Sequence, residues 1–246
     1  MLSGSIPESI GSLAGLKTLI LFNSSMSGSL PSSMARLTHV TILLLQNNQL
    51  RGDLNKLPQS QMIWLHTGNN KFSGSISRLP RSLLGALMFE NRLSGTIPQA
   101  PADRRNGLGV DGNTSKMKYL TFSNNRLSGT LPNALCELSA LMGISGNSNN
   151  FRGTFPKCLG ALKHISVVAF TRNYLNGKLE FDHPLNGSDS KLATVIMSNN
   201  MFSCTEPALE SAAGLAAGLF EGATDAAQHY GDWLWCVVKG YSIPVF

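Results

Sequence analysis

The 246-residue sequence contains few charges, and they are scattered along the chain. Charged residues make up 14% of it, with 20 Lys and Arg against 14 Asp and Glu, so the net charge is +6. Because no block of about five or six like charges occurs, we expect no arm that binds nucleic acid. No uninterrupted apolar run reaches about 18 residues, so the sequence predicts no direct membrane span.

The motifs of catalysis and metal binding are also missing. The four cysteines lack the close pairing of a zinc site, and the five histidines have no nucleophile or carboxylate at motif spacing. There is no phosphate-binding loop and no kinase signature. The sequence therefore predicts a non-enzymatic protein with no catalytic residue, no cofactor and no metal.

Glycine is abundant, and it recurs at a fixed phase of a repeated frame. One copy, MKYLTFSNNRLSGTLP at 117–132, is built around the anchor residue Asn125. Apolar residues lie eight, five and three positions before the anchor and two and six after it, and a glycine lies four after it. The anchors of the other copies are Ser24, Asn48, Asn70, Asn91, Asn149, Asn173 and Asn200.

The frame has a direct physical interpretation. The apolar pair five and three residues before each anchor has the period of a short strand with one face inward. A repeat this short cannot bury its apolar side alone, so successive copies must stack into a solenoid. The anchor asparagine can bond backbone groups at a tight bend and tolerates unusual backbone angles, the glycine allows a second turn, and a following proline ends the pairing.

This frame resembles the plant-type leucine-rich repeat, LxxLxLxxNxLSGxIP, over roughly residues 2–204. The resemblance implies an α/β repeat solenoid with a parallel concave sheet of about eight strands and a second strand beside each of them. We expect one domain at 1–204, with a partial first repeat and an insertion at about 99–116. Because Met1 leads straight into the second half of a frame, we expect the chain to be part of a longer one or to begin with a stub.

Residues 205–246 form a separate segment in which the frame stops. Apolar residues recur there every three or four positions from Leu209 to Val237, which predicts a helical cap over the last repeat. Of the cysteines, Cys136 and Cys158 lie near, but not at, the same phase of adjacent repeats, which argues against a disulfide between them. A bridge from Cys204 to Cys236 is an alternative to free thiols, which the sequence favours.

The side chains between the inward strand positions point out from the concave face. In the first four full repeats they are mostly apolar, and in the last four they are small and polar. We call the apolar set the concave patch, a candidate binding surface for another protein or peptide. It comprises Ile20, Phe22, Ile42, Leu44, Trp64, His66, Leu87 and Phe89. The alternative is that sequence upstream of the given chain, or the insertion loop, folds over it and covers it.

Two functional hypotheses follow. The resemblance implies a receptor-like ectodomain, at the cell surface or outside the cell, that binds a peptide or co-receptor. The alternative is a peripheral structural subunit of a larger membrane or organellar complex, docked by the apolar concave half and the C-terminal helices. Sequons at Asn23, Asn113 and Asn186 do not separate the two, because about three are expected by chance.

Overall fold

The computed structural model describes residues 2–58, 61–76, 79–80, 82–97, 116–182, 191–203, 236–238 and 241–243. Several sequence predictions lie outside these residues. They are the insertion at 99–115, the sequons Asn113 and Asn186, the thiol of Cys204, and the helices predicted over 206–235.

A nine-stranded parallel sheet runs along one side of the solenoid, and we call it the lateral sheet. Numbered in chain order with the strands given next, it consists of β1 (Ser3–Ser5), β3 (Ser25–Ser29), β5 (Gln49–Asp53), β7 (Lys71–Gly74), β9 (Arg92–Thr96), β11 (Arg126–Thr130), β13 (Asn150–Gly153), β15 (Tyr174–Lys178) and β17 (Met201–Ser203). Most of these strands begin directly after the anchor and include the glycine of the frame, so a second strand lies beside each concave strand as the resemblance implied.

An eight-stranded parallel sheet forms the concave face, and we call it the concave sheet. Its strands are β2 (Thr18–Ile20), β4 (Ile42–Leu44), β6 (Trp64–His66), β8 (Gly85–Leu87), β10 (Tyr119–Thr121), β12 (Gly143–Ser145), β14 (Val167–Ala169) and β16 (Thr194–Ile196). The predicted sheet of about eight strands is therefore confirmed. The inward positions of the frame form one continuous core, in which Leu120, Phe122 and Leu127 are buried.

The anchor asparagines form a single hydrogen-bonded column. In each coil the anchor amide oxygen accepts the backbone N–H of a residue in the preceding coil, as Asn149 does from Leu127 at 2.9 Å. The amide nitrogen donates to carbonyls of both coils, and successive anchors share them: Phe122 O accepts from Asn125 and from Asn149. The column thus satisfies backbone groups that neither sheet serves.

The left-handed backbone angle falls on the residue before the anchor, and not on the anchor as the sequence suggested. Asn47, Asn124 and Asn199 occupy this position with φ between 55° and 59°, and the other coils repeat the conformation. Asparagine adopts this region more readily than most residues, because its short side chain can bond locally. This explains why the frame often carries two asparagines in succession.

The convex side of the described residues contains short 3₁₀ helices and no α-helix, so the helical part of the α/β expectation is not met in the coils that the structure describes. The 3₁₀ helices span Glu8–Ser12, Ser32–Arg36, Leu54–Lys56, Asn133–Glu137 and Lys157–Ala161. Four of them follow a proline in extended conformation, because proline fixes φ and ends strand pairing. Within the described residues no helix is long and apolar enough to cross a membrane.

Adjacent coils are in phase at the concave sheet but staggered by two residues at the lateral sheet. Tyr119 pairs with Gly143, and each lies six residues before its anchor. In contrast, Ser128 lies three residues after its anchor and pairs with Asn150, which lies one residue after the next anchor. At the concave sheet, paired residues lie at equal distances from their anchors. If the same rule is applied elsewhere in the coil, it assigns the wrong partner.

This stagger brings Cys136 and Cys158 together in a disulfide, so the prediction against a bridge between them is wrong. Cys136 lies eleven residues after Asn125 and Cys158 nine after Asn149, which is the same two-residue offset. Their Cα atoms are 5.8 Å apart, within the usual range for a disulfide. The two residues belong to neighbouring 3₁₀ helices, so the bridge joins two coils on the convex side.

Near the end of the chain the structure has strands where the sequence predicted helix. Strands β18 (Cys236–Val238) and β19 (Tyr241–Ile243) pair antiparallel, with Cys236 opposite Ile243. Val237, Val238 and Ile243 are β-branched and favour strands, and two residues between the strands are enough for a hairpin. The helical period therefore does not extend through Val237.

Glu8 links the first two coils and gives their contact a pH dependence. Its carboxylate accepts the backbone N–H groups of Ser33 and Ser32, both at 3.0 Å. These bonds, that from Ser33 most strongly, hold the pKa of Glu8 below its ordinary value of 4.5. Because the folded pKa is the lower one, the stabilisation is complete above that ordinary value and is lost as the pH falls through the folded pKa.

We therefore predict that Glu8→Gln lowers the thermal midpoint at neutral pH and that the difference from wild type shrinks in acid. Thermal unfolding from neutral pH to about pH 3 measures it. Glu137→Gln is the matched control, since the Glu137 carboxylate is exposed and has no hydrogen bond to a described residue. A difference for Glu8→Gln that is constant across the range would contradict the assignment.

Candidate functional site

The concave sheet arranges the predicted patch in adjacent rows. Register pairing aligns Ile20, Leu44, His66 and Leu87 across strands β2, β4, β6 and β8. Ile42 and Trp64 form a second row beside them. Phe22 and Phe89 lie two residues beyond the first row, where their strands have ended. All eight predicted residues thus occupy one continuous part of the concave side.

The patch is partly open to solvent. Ile20 and Phe22 are 51% and 41% exposed, and Ile63 beside the second row is 42% exposed. The other members of the patch are half-buried. The open side chains lie on the first coils, while Trp64, His66 and Phe89 are held by their neighbours.

Two glycines shape the aromatic part of the patch. The ring of Trp64 lies over Gly85, the register partner on the next strand, and a Cβ there would meet its Cε3 at 2.7 Å. The ring of Phe89 lies over Gly68 in the same way, where a Cβ would be 2.9 Å from Cζ. His66 packs beside Phe89 with ring centroids 5.5 Å apart. The glycines therefore let both rings lie down against the sheet.

The patch continues past the half of the chain that the sequence assigned to it. Tyr119, six residues before Asn125, is 40% exposed, and its ring meets Trp64 edge-on with centroids 6.4 Å apart. Val167 and Ile196 are also exposed on this sheet. Tyr119 occupies the frame position of Trp64, so the same spacing could have identified it. The later coils are therefore not uniformly small and polar.

A hydrogen-bonded group of polar side chains lies on the concave side of the later coils, at the frame positions of the first row and of Phe22 and Phe89. The hydroxyls of Ser123 and Ser145 lie 2.7 Å apart, and the Asn147 amide donates to Ser145 Oγ. The Asn147 amide oxygen accepts the backbone N–H of Thr171 at 2.7 Å. These side chains are already bonded, so this part of the concave side offers fewer free groups than its composition suggests.

Three polar atoms around the patch are buried without a hydrogen-bond partner among the described residues. They are Gln46 Oε1, His66 Nε2 and Thr121 Oγ1. Buried polar atoms are nearly always bonded in folded proteins, so these three are exceptional groups beside the apolar rows. Burial also lowers the pKa of His66, so its imidazole is neutral at physiological pH.

The concave rows extend across several adjacent strands, a shape that suits an extended ligand. A cleft of about 340 Å³, lined by residues such as Phe155, Lys157 and Lys178, lies away from the concave rows. The described residues contain no group of three His, Cys, Asp or Glu side chains that could hold a metal ion.

The comparisons with known proteins agree with the geometry. The Leucine Rich Repeat family matches residues 116–138. No curated protein sequence matches the chain. Among solved structures, the chain is similar to a TDR receptor, with 26% identity and a TM-score of 0.67 over 84% of this chain and 34% of that one.

Two other solved structures combine a similar solenoid with a peptide. The plant peptide hormone receptor RGFR1 in complex with RGF2 is 26% identical, with a TM-score of 0.67 over 87% of this chain and 34% of that one. The Arabidopsis receptor kinase HAESA ectodomain, in complex with an IDA peptide hormone ligand, is 24% identical, with a TM-score of 0.60 over 84% and 37%. The chain thus spans about a third of the length of these receptors.

Proposed function

Because the chain is a leucine-rich repeat protein similar in structure to the ectodomains of plant receptor kinases, we propose that it recognises a peptide or a segment of another protein without catalysing a reaction. The concave patch, extended by Tyr119, is the proposed binding surface. The observation that carries this proposal is the row of apolar and aromatic side chains that the concave sheet leaves partly open.

The polar atoms beside the patch support an extended ligand with its own backbone groups. A peptide across the strands can bond Gln46 Oε1, His66 Nε2 and Thr121 Oγ1 once these half-buried side chains turn toward it. Each such bond relieves a buried unsatisfied atom, which contributes about 1–3 kcal/mol. Aromatic anchors such as Trp64 supply the hydrophobic part of the affinity.

The disulfide supports a compartment outside the cytosol. Structural disulfides persist in oxidising environments and are rare in reducing ones. The Cys136–Cys158 bridge is therefore consistent with the cell-surface or extracellular location that the receptor ectodomains suggest.

We predict that binding depends on the concave patch. Peptides selected from a random displayed library against the purified chain should bind Trp64→Asp and Phe22→Asp variants about 30-fold more weakly, because each change places a charge in an apolar contact. Titration calorimetry measures the affinities.

Met201→Asp is the matched control, because Met201 is 57% exposed on the lateral sheet, outside the patch. It should leave the affinity within about threefold of wild type. Selected peptides that bind both patch variants as tightly as wild type would refute the proposed surface.

A further inference from the structure

The lateral sheet carries a line of positive charge that the proposed function does not use. Six consecutive strands each present one exposed Lys or Arg: Arg51 on β5, Lys71 on β7, Arg92 on β9, Arg126 on β11, Arg152 on β13 and Lys178 on β15. The one acidic residue on these six described strands is Asp53, whose carboxylate accepts the N–H of Asn55 at 2.8 Å. We call the first five of these residues the basic stripe.

Most of the stripe has no counterion among the residues that the structure describes. Lys178 is excluded because it pairs with Glu180 at 3.2 Å. Lys71 bonds the neutral amide of Gln49, and Arg152 lies over the ring of Tyr174, 5.7 Å from its centroid. The side chains of the remaining three, Arg51, Arg92 and Arg126, make no hydrogen bond or ion pair with a described residue.

The concentration of charge is unfavourable for the free protein. Arg51 and Lys71 are direct register partners on β5 and β7, and like charges opposite each other destabilise a sheet. A surface that served solubility alone would mix charges of both signs. These six strands carry six basic residues and one acidic residue. An anionic partner would therefore relieve a repulsion that is present in the folded protein alone.

The groups around the stripe are suited to carboxylates. Ser73 is the register partner of Arg92, and Ser94 is that of Arg126, so hydroxyl donors alternate with guanidinium groups. Arginine binds a carboxylate with two parallel hydrogen bonds. Phe72 and Phe151 point into the core, and the exposed ring of Tyr174 beside the stripe is covered by the Arg152 guanidinium, so the described strands offer no free row of rings on which nucleic-acid bases could stack.

We infer that the basic stripe docks an acidic segment of another polypeptide. In register, Arg92 lies two residues further along the strands than Lys71, and Arg126 lies four residues further, so the stripe runs diagonally across the sheet. From Lys71 to Arg126 it covers roughly 16 Å, which an extended chain at about 3.3 Å per residue spans with about five or six residues. Such a segment crosses the strands and places its Asp or Glu carboxylates against Arg92 and Arg126 at the centre. The stripe lies on the lateral sheet, so its role is independent of the concave patch.

The test uses the purified full chain and a labelled hexaglutamate peptide with blocked ends, followed by fluorescence anisotropy at low ionic strength. The double variant Arg92→Glu with Arg126→Glu should bind it at least about tenfold more weakly. Arg36→Glu with Lys56→Glu is the control, because it makes the same charge change at exposed convex positions and should reduce affinity less than about threefold.

Two further probes identify the occupant. Hexaglutamine, of the same length but neutral, should show no measurable binding, and an oligogalacturonate of equal charge should bind more weakly than hexaglutamate. Equal losses in the two double variants would mean that only total charge matters, which overturns the inference. Tighter binding of the oligogalacturonate would overturn it as well, since the occupant would then be an acidic polysaccharide.

Discussion

Replacement of Asn149 by alanine is expected to lower the free energy of unfolding by about 3 kcal/mol. The Asn149 side chain is 5% exposed. Its amide accepts the backbone N–H of Leu127 and donates to the carbonyls of Phe122, Gly146 and Asn147. Chemical denaturation followed by circular dichroism measures the change.

The larger part of this loss comes from one backbone group. The carbonyls of Phe122 and Gly146 keep a second donor, from Asn125 and Asn173 respectively. The N–H of Leu127 keeps no described side-chain partner when the amide is removed, and a buried unsatisfied donor costs about 1–3 kcal/mol. Removal of one anchor amide therefore costs little at the carbonyls, which keep a second donor, and more at the backbone N–H, which loses its partner.

Asn150→Ala is the matched control for Asn149→Ala. Asn150 is the next residue, it is exposed, and its side chain makes no hydrogen bond to a described residue. We expect its stability to stay within about 0.5 kcal/mol of wild type. A comparable loss at both positions would show that the column does not carry the stabilisation assigned to it.

The column of anchor asparagines also explains why the solenoid could be predicted from the sequence. The anchor asparagine is chemically distinctive and recurs in seven copies, and its side chain must bond the coil before it. The one substitution, Ser24, lies in the first full copy, where the serine hydroxyl bonds only Phe22 O. A residue whose role is repeated and local can be recognised from spacing alone.

The features that the sequence did not predict depend on how one coil sits against the next. Cys136 and Cys158 pair because of a two-residue stagger that no single repeat contains. The orientation of Trp64 depends on Gly85 in the following coil, which is 21 positions away. Tyr119 differs from these features, because it lies at the same position before its anchor as Trp64 and could have been identified from the repeat alone.

Loss of the Cys136–Cys158 bridge is expected to destabilise the protein by about 3 kcal/mol. The two cysteines are 22 residues apart, and closing a loop of that size in the unfolded chain accounts for this amount in the chain-entropy description. The double variant Cys136→Ala with Cys158→Ala tests it by denaturant unfolding. Reductant should lower the stability of wild type by a similar amount and leave the double variant nearly unchanged.

The position of the bridge determines where the loss should be felt. Coils of a solenoid contact only their neighbours, so a cross-link between two coils stabilises that pair most. Hydrogen exchange in the double variant should therefore accelerate in the 3₁₀ helices Asn133–Glu137 and Lys157–Ala161 and change little at Ser32–Arg36. Uniform acceleration along the solenoid would show instead that the chain unfolds as one cooperative unit. Wild-type protein made in a reducing compartment should behave like the double variant, because the stagger that aligns the two thiols does not by itself oxidise them.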